Sequence, residues 1–214
     1  MSKKIFWIIG IIAVCVIALI VLNGKSGKSS ATIDYKNQPF IGQESAPVEI
    51  IEFGDYKCPH CGEFNKNVLP YIDQQFIQTG KAKLYFMNYA FIAPDSKTAA
   101  LFAETVYKEL GNEPFWKFHE LLFENQTTKD GKENLMTEDF LKTVLSKVAS
   151  KDETEKVAKA FEENKANASF DKDMKTANKL KVQATPAIFI GGKEFKGQTM
   201  NDFAKMVDEA ANDK

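Results

Sequence analysis

Hydrophobic residues form an uninterrupted run near the start of the chain, from Ile5 to Leu22. As a helix, its 18 residues would be about 27 Å long, close to the apolar thickness of a bilayer. The run lacks the polar face of a buried soluble helix, and no small-residue cleavage site follows it. We therefore expect an uncleaved transmembrane signal anchor at residues 5–22, rather than cleavage between residues 24 and 31.

The residues on either side of this run predict its orientation. Lys3 and Lys4 precede it, which favours a cytoplasmic segment at residues 1–4 and export of the folded part that follows. Residues 23–33 are polar and rich in glycine and serine, as is typical of a flexible linker. We therefore expect a single-pass protein of the cell membrane whose folded domain, residues 34–211, lies on the extracytoplasmic side.

Beyond the linker, the spacing of apolar residues alternates between the period of a strand and that of a helix. Four short β-branched or aromatic runs predict strands, at residues 48–53, 83–92, 187–190 and 193–195. Helical spacing predicts helices at residues 62–78 and 200–211, and helical signals occupy the stretch from residue 95 to residue 182. This order predicts an α/β fold in which a block of helices separates the second strand from a late hairpin.

Proline, glycine and capping residues indicate where individual helices begin and end. Within the helix at residues 62–78, Pro70 predicts a kink. In the helical block, the signals are a start at Pro94 and Asp95, an end at Gly111, a start at Pro114, a cap at Thr137 and a capping box of Ser150 with Glu153.

The composition argues against one class of partner. The formal net charge is −1, and all 28 basic residues are lysines. Nucleic-acid sites usually combine a basic surface with the planar, bidentate guanidinium group of arginine, which this chain lacks. We therefore expect no binding to nucleic acids.

Only two cysteines, Cys58 and Cys61, lie outside the apolar run. A structural disulfide between them is a poor interpretation, because so short a loop gives little stabilisation. A zinc site needs four ligands, and His60 and His119 are the only other soft ligands in the chain. A redox-active pair fits best, since Cys-Pro-His-Cys stands between a predicted strand and a predicted helix.

Cys58 is predicted to lie at the start of a helix, where its thiolate is favoured. Unpaired backbone N–H groups and the helix dipole stabilise negative charge there, and His60 is expected to add to this effect. A pKa of about 4 would favour the reduced state at pH 7 by roughly 4 kcal/mol, or about 90 mV toward a stronger oxidant. Cys61, one turn further on, is expected to be covered by the fold and to remain a thiol.

Two segments carry a resemblance to a known family. Residues 53–61 read Phe-Gly-Asp-Tyr-Lys-Cys-Pro-His-Cys, and residues 183–192 read Gln-Ala-Thr-Pro-Ala-Ile-Phe-Ile-Gly-Gly. Together they resemble the DsbA-like thiol:disulfide oxidoreductases, most closely the membrane-anchored, BdbD-like branch of bacteria with a single membrane. The resemblance covers about residues 34–211 and implies a thioredoxin-like fold with a helical insertion at about residues 95–170.

The same resemblance implies roles for individual residues in the site, to which Pro59 between the cysteines also belongs. Pro186 would be a cis-proline that faces the cysteine pair, and Thr185 would tune substrate release and thiolate stability. Glu52 would be a buried acid with a raised pKa that moves a proton during exchange, although strand alternation also permits an outward-facing side chain. The family's basic partner for this acid has no clear counterpart here, and Lys83 is the nearest candidate.

The implied activity is the formation of disulfides in newly exported, unfolded proteins with free thiols. A DsbB- or BdbC-like membrane protein linked to quinone would reoxidise the enzyme, which would act as a monomer without a metal or organic cofactor. A reductase or isomerase is an alternative, although isomerases of this fold usually carry a dimerisation domain and only residues 31–47 precede the first predicted strand. A non-enzymatic anchored binding module is a further alternative, against which the intact Cys58, Cys61 and Pro186 argue.

Overall fold

The computed structural model of the protein describes residues 33–126 and 135–213. The predicted anchor at residues 5–22, and the predicted linker except for residue 33, lie outside the described residues. Among the described helices, none is both long enough and apolar enough to cross a membrane.

One mixed sheet forms the centre of the fold. Its strands are Phe40–Ile41 (β1), Val48–Gly54 (β2), Ala82–Asn88 (β3), Ala187–Ile190 (β4) and Lys193–Glu194 (β5). Their spatial order is β1-β3-β2-β4-β5, with β2 and β3 parallel and the other neighbouring pairs antiparallel. Central β2 is buried along almost its whole length, and apart from Glu49 and Glu52 its residues are apolar or glycine, as is typical of a strand covered on both faces.

All four predicted strands are present, with small changes at their ends. The largest change is at β3, which ends at Asn88 rather than at residue 92. There the Asp55 carboxylate accepts hydrogen bonds from the backbone N–H groups of Phe91 (2.9 Å) and Ile92 (3.0 Å) and turns the chain away from the sheet. Strand β1 was not predicted, because two residues are too few to show an alternating pattern.

Eight α-helices surround the sheet within the described residues. They are Pro59–Glu63 (α1), Leu69–Ile72 (α2), Ser96–Leu110 (α3), Asn112–Glu124 (α4), Glu138–Leu145 (α5), Lys151–Glu162 (α6), Asn167–Lys179 (α7) and Met200–Asn212 (α8). Two π-helical turns, Phe64–Val68 and Asp73–Ile77, continue the chain after α1 and α2.

The stretch from α1 to the second π turn corresponds to the helix predicted at residues 62–78. Pro70 lies in the first turn of α2, directly after the π turn Phe64–Val68. Because proline has no N–H to donate four residues back, a widened turn before it accommodates the lost hydrogen bond. The predicted irregularity is therefore a π turn.

Helices α3 to α7 occupy the chain between β3 and β4, where a helical block was predicted. Gly111 ends α3 with φ 87°, a left-handed conformation that glycine adopts without steric cost. The cap at Thr137 and the capping box of Ser150 with Glu153 are confirmed. Helix α7 continues past residue 170, the predicted end of the insertion, and its Ala177 packs on the sheet.

The buried core lies on both faces of the sheet and extends into the helical block. Val48, Ile50 and Leu84 pack with α8 on one face, whereas Ile51 and Tyr85 pack with α7 on the other. A third cluster joins the aromatic residues of α3 and α4 to Tyr56 and to both cysteines. The cysteine pair is thus positioned where the sheet meets the helices.

Candidate active site

Cys58 is the N-cap residue of α1, as the sequence predicted. Its φ and ψ of −81° and 115° are extended, and its carbonyl oxygen accepts hydrogen bonds from the N–H groups of Cys61 (3.1 Å) and Gly62 (3.2 Å). Pro59 occupies the first helical turn, where its fixed φ suits the helix and its missing N–H is not needed. Both cysteines are free thiols, so the structure represents the reduced state.

The pKa values of the two thiols are shifted in opposite directions. A hydrogen bond from the Cys61 thiol lowers the pKa of Cys58 to about 6, and the Thr185 side chain and the backbone N–H groups of Cys61 and His60 also favour the thiolate, against an opposing effect of burial. Burial raises the pKa of Cys61 far above its ordinary value, and the neighbouring charges of Glu52 and Cys58 raise it further. Cys58 is 3% exposed and Cys61 0%, so the two thiols differ in their hydrogen bonds and in the effect of burial on their pKa values more than in exposed surface.

The loop before β4 completes the site from the other side. The Thr185–Pro186 peptide bond is cis, which confirms the geometry that the resemblance implied for Pro186. The Cys58 thiol donates a hydrogen bond to the backbone carbonyl oxygen of Thr185 (3.2 Å), so this loop faces the cysteine pair. The Thr185 hydroxyl oxygen is buried without a hydrogen-bond partner among the described residues and is available to donate to a Cys58 thiolate.

Glu52 points into the protein and is fully buried, which decides between the two orientations that strand alternation allowed. Burial raises the pKa of its carboxyl group to about 8, although a hydrogen bond from Asn65 opposes this rise. Asn65 Nδ2 donates to Glu52 Oε1 (2.9 Å) and to the carbonyl oxygen of Cys61 (3.0 Å). One amide therefore connects the acid to the buried cysteine.

Lys83 is not the partner of Glu52. Its Nζ donates to the Glu44 carbonyl oxygen (2.7 Å) and lies 3.8 Å from Glu49 Oε1. In the β2–β3 register, Lys83 is opposite Glu49, while Glu52 is opposite Phe86, three residues further along the strand. Parallel pairing thus separates the two residues by three positions, which sequence distance alone did not reveal.

The lysine before Cys58 instead belongs to a second buried charge arrangement. Lys57 Nζ lies 3.1 Å from Asp95 Oδ2, and the two side chains are only 2% and 1% exposed. The same carboxylate oxygen accepts hydrogen bonds from the backbone N–H groups of Leu135 (2.8 Å) and Met136 (2.8 Å). This ion pair fastens the loop carrying Cys58 to the start of α3 and to the segment before α5.

The sequence pattern predicted the cysteine pair, and the resemblance implied Thr185, Pro186 and Glu52; the fold brings all of these residues together. The His60 side chain is exposed on the first turn, and its expected effect on the thiolate stays a prediction. Asn65 was missed, although its position four residues after Cys61 places it on the same helical face. His119 was considered only as a zinc ligand.

Among residues 33–126 and 135–213, no three histidine, cysteine or acidic side chains are grouped to hold a metal ion.

Comparison with known proteins gives consistent similarities. A family model described as thioredoxin matches residues 34–209. The probable disulfide bond formation protein D of Bacillus cereus is 34% identical over 188 residues, 88% of this chain and 86% of its own. The disulfide bond formation protein D of Bacillus subtilis is 36% identical over 161 residues, 75% of this chain and 71% of its own.

Solved structures agree with these relatives. Oxidised BdbD from Bacillus subtilis has a TM-score of 0.77 at 31% identity, over 84% of this chain and 96% of its own. DsbA from Chlamydia trachomatis has a TM-score of 0.71 over 86% and 96% of the two chains. Its identity of 21% limits that likeness to the fold.

Proposed function

The chain belongs to the thioredoxin family, in its DsbA-like, BdbD-type branch, and is a protein disulfide oxidoreductase; from this premise we propose that it forms disulfide bonds in exported proteins through Cys58 and Cys61. The observation that carries the proposal is that the pKa of Cys58 is lowered while that of Cys61 is raised. A pKa of about 6 makes Cys58 a stable thiolate at neutral pH, whereas Cys61 holds its proton. This arrangement favours the reduced pair, which is what an oxidant requires.

The first step begins from the Cys58–Cys61 disulfide. A substrate thiolate attacks Cys58 Sγ, forms a mixed disulfide and breaks the Cys58–Cys61 bond. The electron pair of the broken bond passes to Cys61 Sγ. Because burial strongly disfavours a thiolate there, Cys61 takes up a proton as it leaves.

The second step releases the product. A second substrate thiolate attacks the substrate sulfur of the mixed disulfide, and Cys58 leaves as a thiolate, the better leaving group because of its lowered pKa. The substrate loses two electrons and two protons in the two steps. One proton remains on Cys61, the other goes to solvent, and both electrons remain on the cysteine pair.

Glu52 is the proposed proton donor to Cys61. With a pKa of about 8, its carboxyl group is mostly protonated at pH 7 and can still give up a proton, as efficient general acids do. Its link through Asn65 to the Cys61 carbonyl oxygen keeps its carboxyl group near Cys61, whose pKa its charge raises. Solvent then returns a proton to Glu52, because its pKa lies above 7, and in reoxidation the ionised form of the same carboxyl group would accept the proton of Cys61.

The Cys58 pKa of about 6 is higher than the value of about 4 considered from the sequence. At pH 7 it favours the reduced state by about 1.4 kcal/mol, or about 30 mV, instead of about 90 mV. This smaller contribution keeps a reductase or isomerase as the second candidate function. The reduction potential of the Cys58–Cys61 pair distinguishes these directions, because an oxidase has the higher potential.

Trapping tests the division of roles between the cysteines. Cys61→Ala should accumulate mixed disulfides when its Cys58 thiolate attacks a disulfide of an oxidised, unfolded substrate and displaces a substrate thiolate, since no Cys61 thiol is present to resolve them. Cys58→Ala should trap none, because the remaining thiol is buried and protonated. Equal trapping by the two variants would contradict the assignment of Cys58 as the attacked sulfur.

The location and the recharging partner complete the proposal. We propose a monomer with its catalytic domain on the extracytoplasmic side of the cell membrane. The apolar run at residues 5–22 supports the anchor, and the similarity to disulfide bond formation proteins supports recharging by a quinone-linked, DsbB- or BdbC-like membrane protein. The full-length protein should stay with membranes after a high-salt wash. A shorter soluble form starting between residues 24 and 31 would contradict the anchor.

A further inference from the structure

Four buried or half-buried side chains form a hydrogen-bonded chain that ends at Glu52. Tyr56 Oη lies 2.9 Å from His119 Nδ1, and His119 Nε2 lies 2.9 Å from Asn65 Oδ1. Asn65 Nδ2 then donates to Glu52 Oε1 at 2.9 Å. Strand β2, the loop before α1, the π turn Phe64–Val68 and helix α4 each contribute one residue.

The chemistry of the four groups gives this chain a direction. Asn65 Nδ2 donates to two oxygen atoms, so Asn65 Oδ1 faces His119 and can only accept. His119 Nε2 must therefore carry the hydrogen. Burial lowers the pKa of His119 to about 3, so the ring is neutral and its Nδ1 accepts from the Tyr56 hydroxyl. Every hydrogen bond in the chain thus points toward Glu52.

The surroundings of His119 fix this arrangement. Its ring centroid lies 4.5 Å from that of Phe86 and 4.9 Å from those of Trp116 and Phe123. A ring enclosed in this way cannot turn without moving three aromatic neighbours. The amide of Asn65 is held in turn, because a flipped amide would place an N–H group against the Nε2 hydrogen.

We propose that Asn65 and His119 are positioning residues that hold the Glu52 carboxyl group beside Cys61. Glu52 Oε1 is occupied by Asn65, whereas Oε2 is buried without a hydrogen-bond partner among the described residues. Oε2 is therefore the atom left to exchange a proton. The inference rests on the proposed role of Glu52 as proton donor, and it adds the residues that orient the donor and set its acidity.

Removing the Asn65 amide should make Glu52 a weaker acid. The hydrogen bond from Asn65 favours the carboxylate and opposes the effect of burial. The other titratable groups whose charges act on Glu52, or are acted on by it, are Cys58, Cys61 and Tyr56, and none is altered by changing Asn65. Losing the amide should therefore raise the pKa of Glu52 by about one unit.

The test measures the rate at which a thiol peptide reduces the enzyme disulfide, corrected for peptide ionisation, from about pH 6 to about pH 10. The wild-type profile should show an inflection near pH 8, and Asn65→Leu should shift it upward by about one unit. His119→Phe, which suits the aromatic surroundings, should shift it less, in the same direction. Asn67→Leu is the control, because Asn67 is exposed and donates to Glu63 instead.

A double variant separates positioning from mere packing. If His119 acts through Asn65, Asn65→Leu combined with His119→Phe should show the shift of Asn65→Leu alone. Additive shifts, or an unmoved inflection in Asn65→Leu, would overturn the inference. The infrared band of the protonated Glu52 carboxyl group reports the same hydrogen bond in folded protein. This band should move in Asn65→Leu but not in Asn67→Leu. An unmoved band in Asn65→Leu would also overturn the inference.

The variant Glu52→Gln distinguishes failure of this inference from failure of the proposed function. Loss of the inflection in Glu52→Gln, with no shift in Asn65→Leu, would leave the proton donor in place and reject the positioning residues. An inflection that persists in Glu52→Gln would reject Glu52 as the donor.

Discussion

Buried ionisable side chains lie on both sides of the cysteine pair, but they have different hydrogen-bond partners. On the Cys58 side, Lys57 and Asp95 form an ion pair in which both charges are buried and compensate each other. On the Cys61 side, Glu52 is equally buried. Within the described residues, the only hydrogen bond to its carboxyl group comes from the neutral amide of Asn65. Burial therefore raises its pKa to about 8, and it keeps a proton at pH 7.

This difference separates a structural role from a chemical one. The Lys57–Asp95 pair holds three segments in place, because the two opposite charges and the backbone N–H groups of Leu135 and Met136 meet at one carboxylate oxygen. A carboxyl group with a neutral donor titrates close to the pH at which the enzyme works, so it can give and take a proton. The Lys57–Asp95 pair supports the loop of Cys58, whereas the role proposed for Glu52 is to exchange a proton with Cys61.

Breaking the ion pair should have the largest effect on stability. Asp95→Asn leaves the Lys57 charge buried without its carboxylate and should lower the free energy of unfolding by about 3–5 kcal/mol. Urea unfolding at pH 7 measures this loss. Glu113→Gln, which breaks the exposed pair with Lys117, is the control and should cost far less, because water screens that pair. Similar losses in both variants would mean that the buried pair is not structural.

Replacing the acid on the other side should stabilise the protein in a pH-dependent way. Since the Glu52 pKa rises from 4.5 to about 8 on folding, wild-type stability should fall as pH rises through this range, and the penalty is complete above about pH 8. Glu52→Gln lacks this penalty, so its advantage should grow by about 2.5 kcal/mol between about pH 5 and pH 7. Urea unfolding of both proteins in the oxidised form, in which Cys58 cannot titrate, measures the difference. A constant difference would contradict the raised pKa.

The Cys58 thiolate between the two sides should make stability depend on redox state. Its pKa is lowered to about 6, so the folded reduced form gains stability above that pH and loses the gain as pH falls through it. Relative to the oxidised form, the reduced form should gain about 1.4 kcal/mol between about pH 5 and pH 7. Thermal melting of both forms across this range tests the sign. An oxidised form that melts higher with no pH trend would favour the reductase interpretation.

Of the four predictions, the replacement of His60 should have the smallest effect, and it should act on the pKa of Cys58. Its side chain is exposed, whereas its backbone N–H, which favours the Cys58 thiolate, is retained in alanine. His60→Ala should therefore raise the Cys58 pKa by less than about half a unit. Titration of thiolate absorbance measures the change, with Glu63→Gln as an exposed control one turn away. A rise of a full unit or more would show that the imidazole is a main determinant of the thiolate.

Most of the fold could be predicted from local patterns. The apolar run of β2, the Gly191–Gly192 turn between β4 and β5, and the capping box of Ser150 with Glu153 depend on residues close together in the chain. The same holds for Cys58 at a helix start, since strand, Cys-x-x-Cys and helix follow one another directly. Strand β1 and the end of β3 were missed because contacts with distant residues decide them.

By itself, the sequence determined the redox pair and the strand that carries Glu52, because each has a short-range signal; the proline loop before β4 was implied by the family resemblance. Only the tertiary structure decided which groups surround Glu52. The β2–β3 register places Lys83 opposite Glu49, and helix packing brings His119 to within 2.9 Å of Asn65, 54 positions away in the chain. The pKa values near the cysteines follow from that burial and those partners, since desolvation and hydrogen bonding depend on neighbours in space and not on neighbours in sequence.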